Sequence, residues 1–183
     1  MRYLPSPFAD ERPAGKAVDL LVVHAISLPP GEFGGPHVDE LFLGRLDPEG
    51  NPYFREIAGL RVSAHFLIDR QGGLTQYVPV FKRAWHAGAS RWEHQEACND
   101  FSVGVELEGA DGIPFEAIQY ARLAELSCTL MTRLPGLTPE RIVGHQDVAP
   151  GRKWDPGSGF DWKRFRILLA QARPDRETTL VWE

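Results

Sequence analysis

The chain has 183 residues, a formal charge of −5 at neutral pH and 43% hydrophobic residues. This length is typical of one domain that can bury a substantial core. The acidic balance gives no support for binding to nucleic acid or to an anionic membrane. We therefore expect a single domain over residues 1–183, with an extended, proline-rich segment at about residues 1–15.

The N-terminal segment and the cysteines bear on the cellular compartment. Residues 1–15 contain no continuous apolar run of the kind that a signal peptide needs, and no stretch approaches the length of a membrane span. Cys98 and Cys128 could in principle pair, but two cysteines in such a chain are better interpreted as free thiols in a reducing compartment. We expect a cytoplasmic protein.

Strands and helices are both predicted. The strand candidates are residues 19–24, 62–69, 74–79, 102–107 and 141–145. The second and third candidates flank Gln71, Gly72 and Gly73, which favour a hairpin turn.

Two helices are predicted in the second half of the chain. The first runs from about Pro114 to Leu134, where Pro135 and Gly136 end it. Its core face is expected to consist of Ala117, Tyr120, Ala121, Ala124, Cys128 and Met131. The second begins with Asp161 as its cap, ends before Pro174, and is expected to bury Trp162, Phe165 and Leu169. This mixture predicts an α/β domain with helices that cover a central sheet.

His24 ends the first predicted strand. The preceding run of Leu and Val residues has the character of a buried central strand. Ligands of open α/β sheets gather at the carboxyl ends of strands, which favours a functional role for His24. The alternative is a hydrogen-bonded core histidine, which is the commoner situation for a lone histidine on a strand.

The segment GHQDVAPGRKWDPG, residues 144–157, concentrates chemically useful groups. Pro150 and Pro156 lack amide donors and push the preceding residues toward extended backbone, so we expect an ordered irregular loop and not a helix. In extended backbone, Lys153 and Asp155 would point to the same side. The alternative is a surface loop with an ordinary ion pair and a structural histidine.

His24, His145 and Asp155 together form a donor set that suits zinc. Two imidazoles and one carboxylate leave a fourth tetrahedral position free, which is the pattern of catalytic and not of structural zinc sites. The three residues lie too far apart in the sequence for a compact motif, so the signal depends on the fold bringing them together.

The sequence resembles the AmpD branch of the zinc-dependent N-acetylmuramoyl-L-alanine amidases, relatives of phage T7 lysozyme and of the peptidoglycan recognition proteins. The resemblance extends from about Pro5 to Arg166. It is carried, in the same order, by LLVVHAISLPPGEFGGP (20–36), DPEGNPYF (47–54), RVSAHFLIDRQG (61–72), KRAWHAGAS (82–90), CNDFSVGVELEG (98–109) and GHQDVAPGRKWDPG (144–157). It implies a central mixed β-sheet flanked by helices, as in the peptidoglycan recognition proteins and type 2 amidases, and Zn²⁺ as the cofactor.

By this resemblance, His24, His145 and Asp155 are the zinc ligands, and Glu106 and Lys153 are the catalytic pair. Glu106 would accept a proton from the attacking water and pass it to the leaving amine. Lys153 would stabilise the oxyanion.

Each catalytic assignment has an alternative. Glu106 and Glu108 fall on the same face of an alternating strand, so one or both could be solvated carboxylates at a sheet edge. Lys153 could merely pair with Asp155.

Three further residues are predicted to bind substrate. Trp85 could form an apolar wall for a sugar ring, and Arg61 could bind a carboxylate of the stem peptide. His65 lies inside a predicted strand, where a structural histidine is the default, although the resemblance allows it to line the cleft. His86 could belong to the rim of the cleft.

The sequence departs from its relatives at three positions. Ala25 follows the first ligand where close relatives usually carry Asn, and Ala64 stands where T7 lysozyme-like amidases carry a catalytic Tyr. Ala97 occupies a position where some relatives have an Arg. None of these departures touches a proposed zinc ligand, so they bear on substrate affinity and on the route of proton transfer.

The resemblance implies hydrolysis of the amide bond between N-acetylmuramic acid, in its 1,6-anhydro form, and L-alanine of the stem peptide, in peptidoglycan recycling. The expected partner is a small soluble muropeptide, with no nucleic acid and no membrane, and a monomer is expected. The alternatives are a module that binds muropeptide without cleaving it, and a lytic amidase that acts on intact cell wall.

Overall fold

The computed structural model describes residues 1–175 and 178–183. The strands are β1 (Arg2–Tyr3), β2 (Ala9–Glu11), β3 (Leu20–Ile26), β4 (Phe66–Ile68), β5 (Leu74–Gln76), β6 (Lys82–Ala84), β7 (Arg91–Trp92), β8 (Gln95–Glu96), β9 (Ser102–Glu108) and β10 (Ile142–Gly144). The α-helices are α1 (His37–Phe42), α2 (Phe54–Ile57), α3 (Ala117–Met131), α4 (His145–Val148) and α5 (Trp162–Gln171). Two 3₁₀ turns are formed by Cys98–Asp100 and Pro139–Arg141.

The central sheet is mixed and has the strand order β1-β5-β4-β9-β3-β10. Strands β4, β9, β3 and β10 run parallel to one another. Strand β5 is antiparallel to β4, and β1 is parallel to β5. Helices pack against this sheet, which confirms the predicted fold class.

Strands β3 and β9 lie in the interior of the sheet, and their sequences explain why. The first five residues of β3 and all seven residues of β9 are buried. Because the two strands are parallel neighbours, His24 lies directly opposite Glu106. The sheet therefore brings these two polar side chains to the same carboxyl edge.

The hairpin between β4 and β5 is confirmed, although both strands are shorter than predicted. Residues 62–65 are not assigned to a strand. His65 nevertheless keeps backbone contacts, because its amide donates to Gly104 and its carbonyl accepts from Tyr77.

Helix α3 is shorter than predicted and starts later. Its N-cap is Glu116, and the side chain of Gln119 accepts a hydrogen bond from the Glu116 amide at 3.0 Å. This reciprocal cap, and not Pro114, sets the beginning of the helix. Helix α5 begins as predicted, because the Asp161 carboxylate accepts a hydrogen bond from the Arg164 amide at 2.9 Å.

The core face of α3 is rotated from the predicted one. Its buried residues are Gln119, Tyr120, Leu123, Ala124, Leu126, Ser127 and Leu130. Tyr120 and Ala124 were predicted correctly, whereas Ala117 is exposed and Ala121 is only partly buried. The leucines, which the predicted stripe omitted, are the larger apolar side chains and therefore determine which face packs on the sheet.

The proline-rich N-terminal segment is extended, as expected, but it is also paired. Strand β1 pairs with β5, and β2 pairs with β6 in an antiparallel ribbon. Cys98 and Cys128 are both free thiols. Within residues 1–175 and 178–183, no helix combines the length and the apolar character that a bilayer span requires.

Candidate active site

His24, His145 and Asp155 converge at the carboxyl edge of the sheet. His24 comes from β3, His145 opens α4 directly after β10, and Asp155 lies in the loop that follows. Nδ1 of His24 lies 3.0 Å from Nδ1 of His145, and each nitrogen lies 3.0–3.1 Å from Oδ2 of Asp155. All three side chains are buried.

This cluster fits a metal ion. Nε2 of His145 lies 3.2 Å from the carbonyl oxygen of Ala87 and donates to it, so Nδ1 is the ring nitrogen that faces the cluster. Burial lowers the pKa of His24 to about 4, which keeps that imidazole neutral. Zinc ligands at about 2.0–2.2 Å in a tetrahedral site lie about 3.3–3.6 Å from one another, close to the separations found here.

The backbone around Asp155 explains how a distant residue joins the cluster. The carbonyl of Asp155 accepts a hydrogen bond from the Gln146 amide at 2.9 Å. A Cβ on Gly144 would lie 2.8 Å from Cδ of Pro156, so only glycine lets the loop approach the strand this closely. The expectation of an entirely irregular segment is wrong at its start, because His145–Val148 forms the short helix α4.

Glu106 lies beside the cluster and is poorly solvated. Its side chain is 8% exposed, and its Oε2 is buried without a hydrogen-bond partner among the described residues. Removal from water, and then the nearby charge of Asp155, raise the pKa of Glu106 well above its ordinary value, while Lys153 opposes this shift. An unpaired buried carboxyl oxygen is costly to leave in place, which is typical of a group kept for function.

The alternative of solvated edge carboxylates is excluded for both glutamates on β9, because that strand is flanked by β3 and β4. Glu108 is satisfied by the protein itself. Its two carboxylate oxygens accept hydrogen bonds from the amides of Gly34 and Arg70. Glu108 therefore ties two loops to the sheet, whereas Glu106 keeps a free oxygen.

Lys153 is exposed and lines the same cleft as Glu106. The ion pairs found among the described residues do not include one between Lys153 and Asp155, whose Oδ2 contacts the two histidines instead. The alternative of a simple surface pair is therefore not what the structure contains, and the ammonium is available to a ligand in the cleft.

The cleft has a volume of about 560 Å³, which suits a small ligand. The three clustered residues, Glu106 and Lys153 line one part of it. Apolar and aromatic side chains line much of the remainder, including Leu28, Leu41, Tyr53, Leu60, Trp85 and Trp154, and polar residues such as Ser63, Asp111 and Arg152 also line it. A ligand with both a polar reactive bond and apolar surface fits this arrangement.

Trp85 and Arg61 form a stacked pair at the cleft. The Arg61 guanidinium carbon lies 5.3 Å from the centre of the Trp85 ring, and Nε1 of Trp85 donates to Asp10 at 3.2 Å. Phe8 stacks on Trp85 from a centroid distance of 6.3 Å. Trp85 lines the cleft and Arg61 is exposed beside it. Their assignment to substrate remains a proposal.

His65 lies elsewhere. It is fully buried, and it is not among the described residues that line the cleft. Its Nδ1 accepts from the Gly104 amide at 3.0 Å, and its Nε2 lies 3.0 Å from the carbonyl of Lys82. Burial, and then the nearby Arg12, lower the pKa of His65 to about 3. These contacts support the structural alternative for His65.

Sequence reasoning underestimated His86 and did not single out Arg152. Nδ1 of His86 lies 2.9 Å from Nε2 of His24, so His86 contacts a clustered residue directly. Arg152 donates to the carbonyls of Ala87 and Ala89 at 2.6 and 2.7 Å, which joins the segment after His86 to the loop of Asp155. The block KRAWHAGAS (82–90) was the available signal for His86, and the block GHQDVAPGRKWDPG (144–157) was the signal for Arg152.

The three departures lie in different environments. Ala25 lines the cleft, and Ala64 is fully buried. Ala97 has a φ of 58° and precedes the turn Cys98–Asp100, with its amide donating to Ser90. None of the three replaces a residue of the cluster.

Comparison with known proteins agrees with this geometry. The family described as N-acetylmuramoyl-L-alanine amidase matches residues 14–158. The chain is 54% identical to the 1,6-anhydro-N-acetylmuramyl-L-alanine amidase AmpD of Escherichia coli (strain K12) over 93% of this chain and 92% of that protein. It is 52% identical to AmpD of Enterobacter cloacae over 97% and 94% of the two chains.

Solved structures give the same result. A crystal structure of a selenomethionine derivative of AmpD has a TM-score of 0.89 and 55% identity, with 92% of this chain and 93% of that chain covered. The Escherichia coli amidase AmiD, in complex with anhydro-N-acetylmuramic acid-L-Ala-D-γ-Glu-L-Lys, has a TM-score of 0.60 and 28% identity, with coverages of 86% and 60%.

Proposed function

The chain is an amidase of the N-acetylmuramoyl-L-alanine amidase family, and on this basis we propose that it cleaves the amide bond between 1,6-anhydro-N-acetylmuramic acid and L-alanine of a stem peptide, in peptidoglycan recycling. The observation that carries the proposal is the convergence of His24, His145 and Asp155 beside Glu106 in one cleft. The relatives that share more than half of its residues along nearly the whole chain have this named activity.

Zinc is the proposed cofactor. His24, His145 and Asp155 would hold it, because two neutral imidazoles and a carboxylate are ligands that zinc accepts. When bound, zinc supplies a Lewis acid that polarises the scissile carbonyl and makes water more acidic. The protein's own residues then have to bind the substrate and move the proton.

Glu106 is the proposed general base and acid. Its buried, unpartnered oxygen Oε2 can accept the proton of an attacking water and later return it to the leaving nitrogen. Burial raises the pKa of Glu106, so this carboxylate takes up a proton more readily than a solvated one would.

Lys153 is the proposed oxyanion donor. An amide carbonyl gains negative charge as water attacks it, and an ammonium that lines the cleft can stabilise that charge. The described residues contain no ion pair between Lys153 and Asp155, whose Oδ2 contacts the two histidines. Lys153 therefore does not have to leave a partner before it binds the oxyanion.

Trp85 and Arg61 are the proposed substrate-binding residues. The Trp85 ring can pack against the apolar face of a sugar, and the exposed guanidinium of Arg61 can bind a peptide carboxylate while it stays stacked on that ring.

Two other functions are disfavoured. A module that only binds muropeptide would not need the unpartnered Glu106 beside a metal-binding cluster. A lytic amidase is represented among the similar proteins by an endolysin amidase from Clostridium intestinale at 19% identity, whose likeness extends to the fold alone. The cytoplasmic setting stays a prediction, which fractionation of cells that carry the tagged protein would test.

The substrate test compares soluble fragments with whole wall. At equal concentrations of enzyme and of cleavable bonds, we expect stem peptide to be released from anhydro-N-acetylmuramyl-tripeptide at least about tenfold faster than from purified sacculi. A chelator should abolish both activities, and added zinc should restore them. Equal or faster cleavage of sacculi would favour the lytic amidase, and chelator-resistant cleavage would contradict the zinc assignment.

The Trp85→Ala variant tests the proposed sugar wall. We expect KM to rise about 5- to 150-fold with little change in kcat, because loss of a buried aromatic contact costs about 1–3 kcal/mol. The Trp85→Phe variant is the matched control, since it keeps an apolar ring and loses only the bond to Asp10. Steady-state kinetics on soluble muropeptide give both constants, and an unchanged KM in Trp85→Ala would remove this residue from the substrate site.

A further inference from the structure

A row of polar contacts extends from the metal-binding cluster into the protein. Nε2 of His24 lies 2.9 Å from Nδ1 of His86. Nε2 of His86 lies 3.2 Å from Oγ of Ser102, and that hydroxyl lies 2.6 Å from the carbonyl oxygen of Cys98. We call His24, His86 and Ser102 the histidine–serine chain.

The contact between Ser102 and Cys98 fixes the direction of every hydrogen bond in the histidine–serine chain. A carbonyl oxygen can only accept, so the Ser102 hydroxyl uses its single hydrogen on Cys98. Ser102 must then accept from Nε2–H of a neutral His86, which leaves Nδ1 of His86 as an acceptor. That acceptor receives Nε2–H of His24, so Nδ1 of His24 carries the lone pair that faces the cluster.

The protein is built around the His86 ring. A Cβ on Gly104 would lie 2.4 Å from Cγ of His86, so this glycine makes room for the imidazole. The side-chain oxygen of Asn99 accepts hydrogen bonds from the amides of His86 and Ala87, at 3.2 and 2.8 Å. Ser102, the last residue of the histidine–serine chain, is fully buried.

The same short segment also serves the second histidine of the cluster. The carbonyl of Ala87, next to His86, accepts from Nε2 of His145 at 3.2 Å. One pair of consecutive residues therefore contacts the outward nitrogens of both histidines, once through a side chain and once through the backbone.

We propose that His86 is a positioning residue for the metal ion: it holds the His24 ring in one orientation and one tautomer, and Ser102 does the same for His86. The inference rests on the proposed function, because it requires a metal ion at His24, His145 and Asp155. Hydrogen bonds to the outer nitrogen of a histidine ligand typically change metal affinity 10- to 100-fold when they are lost.

Zinc affinity is the direct test. Zinc dissociation constants would be measured by competition with a chromophoric chelator for the wild-type protein and for His86→Ala, His86→Asn and Ser102→Ala. We expect a dissociation constant about 10- to 100-fold higher for His86→Ala. His86→Asn should recover most of the affinity, since Oδ1 of Asn can accept from His24 as Nδ1 does. Ser102→Ala should weaken binding less than His86→Ala.

Two variants serve as matched controls for these substitutions. His94→Ala removes an exposed histidine, and Ser127→Ala removes a buried hydroxyl that has no hydrogen-bond partner among the described residues. Both should keep the wild-type zinc affinity.

Two further readouts separate positioning from general stability. The metal-free His86→Asn protein, which keeps an acceptor for His24, should unfold close to the wild-type midpoint, and the visible spectrum of the Co²⁺ form of His86→Ala should shift. A His86→Ala protein that binds zinc within twofold of the wild type would overturn the inference and leave the proposed function intact. A fall in metal-free stability with an unchanged Co²⁺ spectrum would also overturn it. A wild-type chain that binds no zinc would overturn both.

Discussion

The Asp155→Ala variant is expected to lose stoichiometric zinc and amidase activity together, with activity reduced at least about 10³-fold. Asp155 supplies the only anionic ligand of the cluster found in the described residues, and its Oδ2 lies within 3.1 Å of a nitrogen from each histidine. Without it, two imidazoles remain, which is too few protein ligands for a catalytic zinc site. His145→Ala should behave in the same way, because it also removes one of three ligands.

Elemental analysis of protein purified without added metal gives the zinc content per chain. The matched control is Asp147→Ala, which lies in the same segment. The Asp147 carboxylate accepts from the Gly144 amide at 2.7 Å and so caps α4. Its removal should cost about 1 kcal/mol of stability and leave zinc in place. Retention of one zinc and of full activity in Asp155→Ala would refute the site.

The fold was predictable wherever local sequence and burial agree. The run of Leu and Val before His24 predicted an interior strand, and Gly72 with Gly73 predicted the hairpin, because both signals depend on neighbouring residues alone. The start of α3 was missed because Pro114 is itself an acceptable first-turn residue. The hydrogen bond from the Glu116 amide to the side chain of Gln119 instead makes Glu116 the N-cap.

The proposed zinc ligands follow from donor chemistry and from the resemblance, but no spacing rule brings His24 to Asp155. Alternation on β9 gave Glu106 and Glu108 the same face and could not tell them apart. Only their partners do so: Glu108 is used by two backbone amides, whereas Glu106 keeps an oxygen without a partner among the described residues. His86 was underestimated because its role depends on a contact with His24 across the fold.

This difference between the two glutamates leads to a second large expected effect. Glu106→Gln should keep zinc and the fold and reduce kcat about 10²- to 10⁴-fold, because the amide has the same shape but cannot take up a proton. Glu108→Gln is the matched control on the same strand, and we expect it to stay within a few-fold of wild-type kcat.

Lys153→Met, which replaces the ammonium group with an uncharged thioether, should reduce kcat about 10²- to 10³-fold with zinc retained.

The pH profile distinguishes a base from a residue that only shapes the cleft. Burial raises the pKa of Glu106, so the wild-type kcat should fall as the pH decreases through that raised value and the carboxylate becomes protonated. In Glu106→Gln this acidic limb should disappear from the residual activity, because no proton is left to add at this position. Zinc content, measured in parallel, shows that the metal is still bound. A Glu106→Gln variant with near-normal turnover, or with the acidic limb unchanged, would assign the base to another group in the cleft.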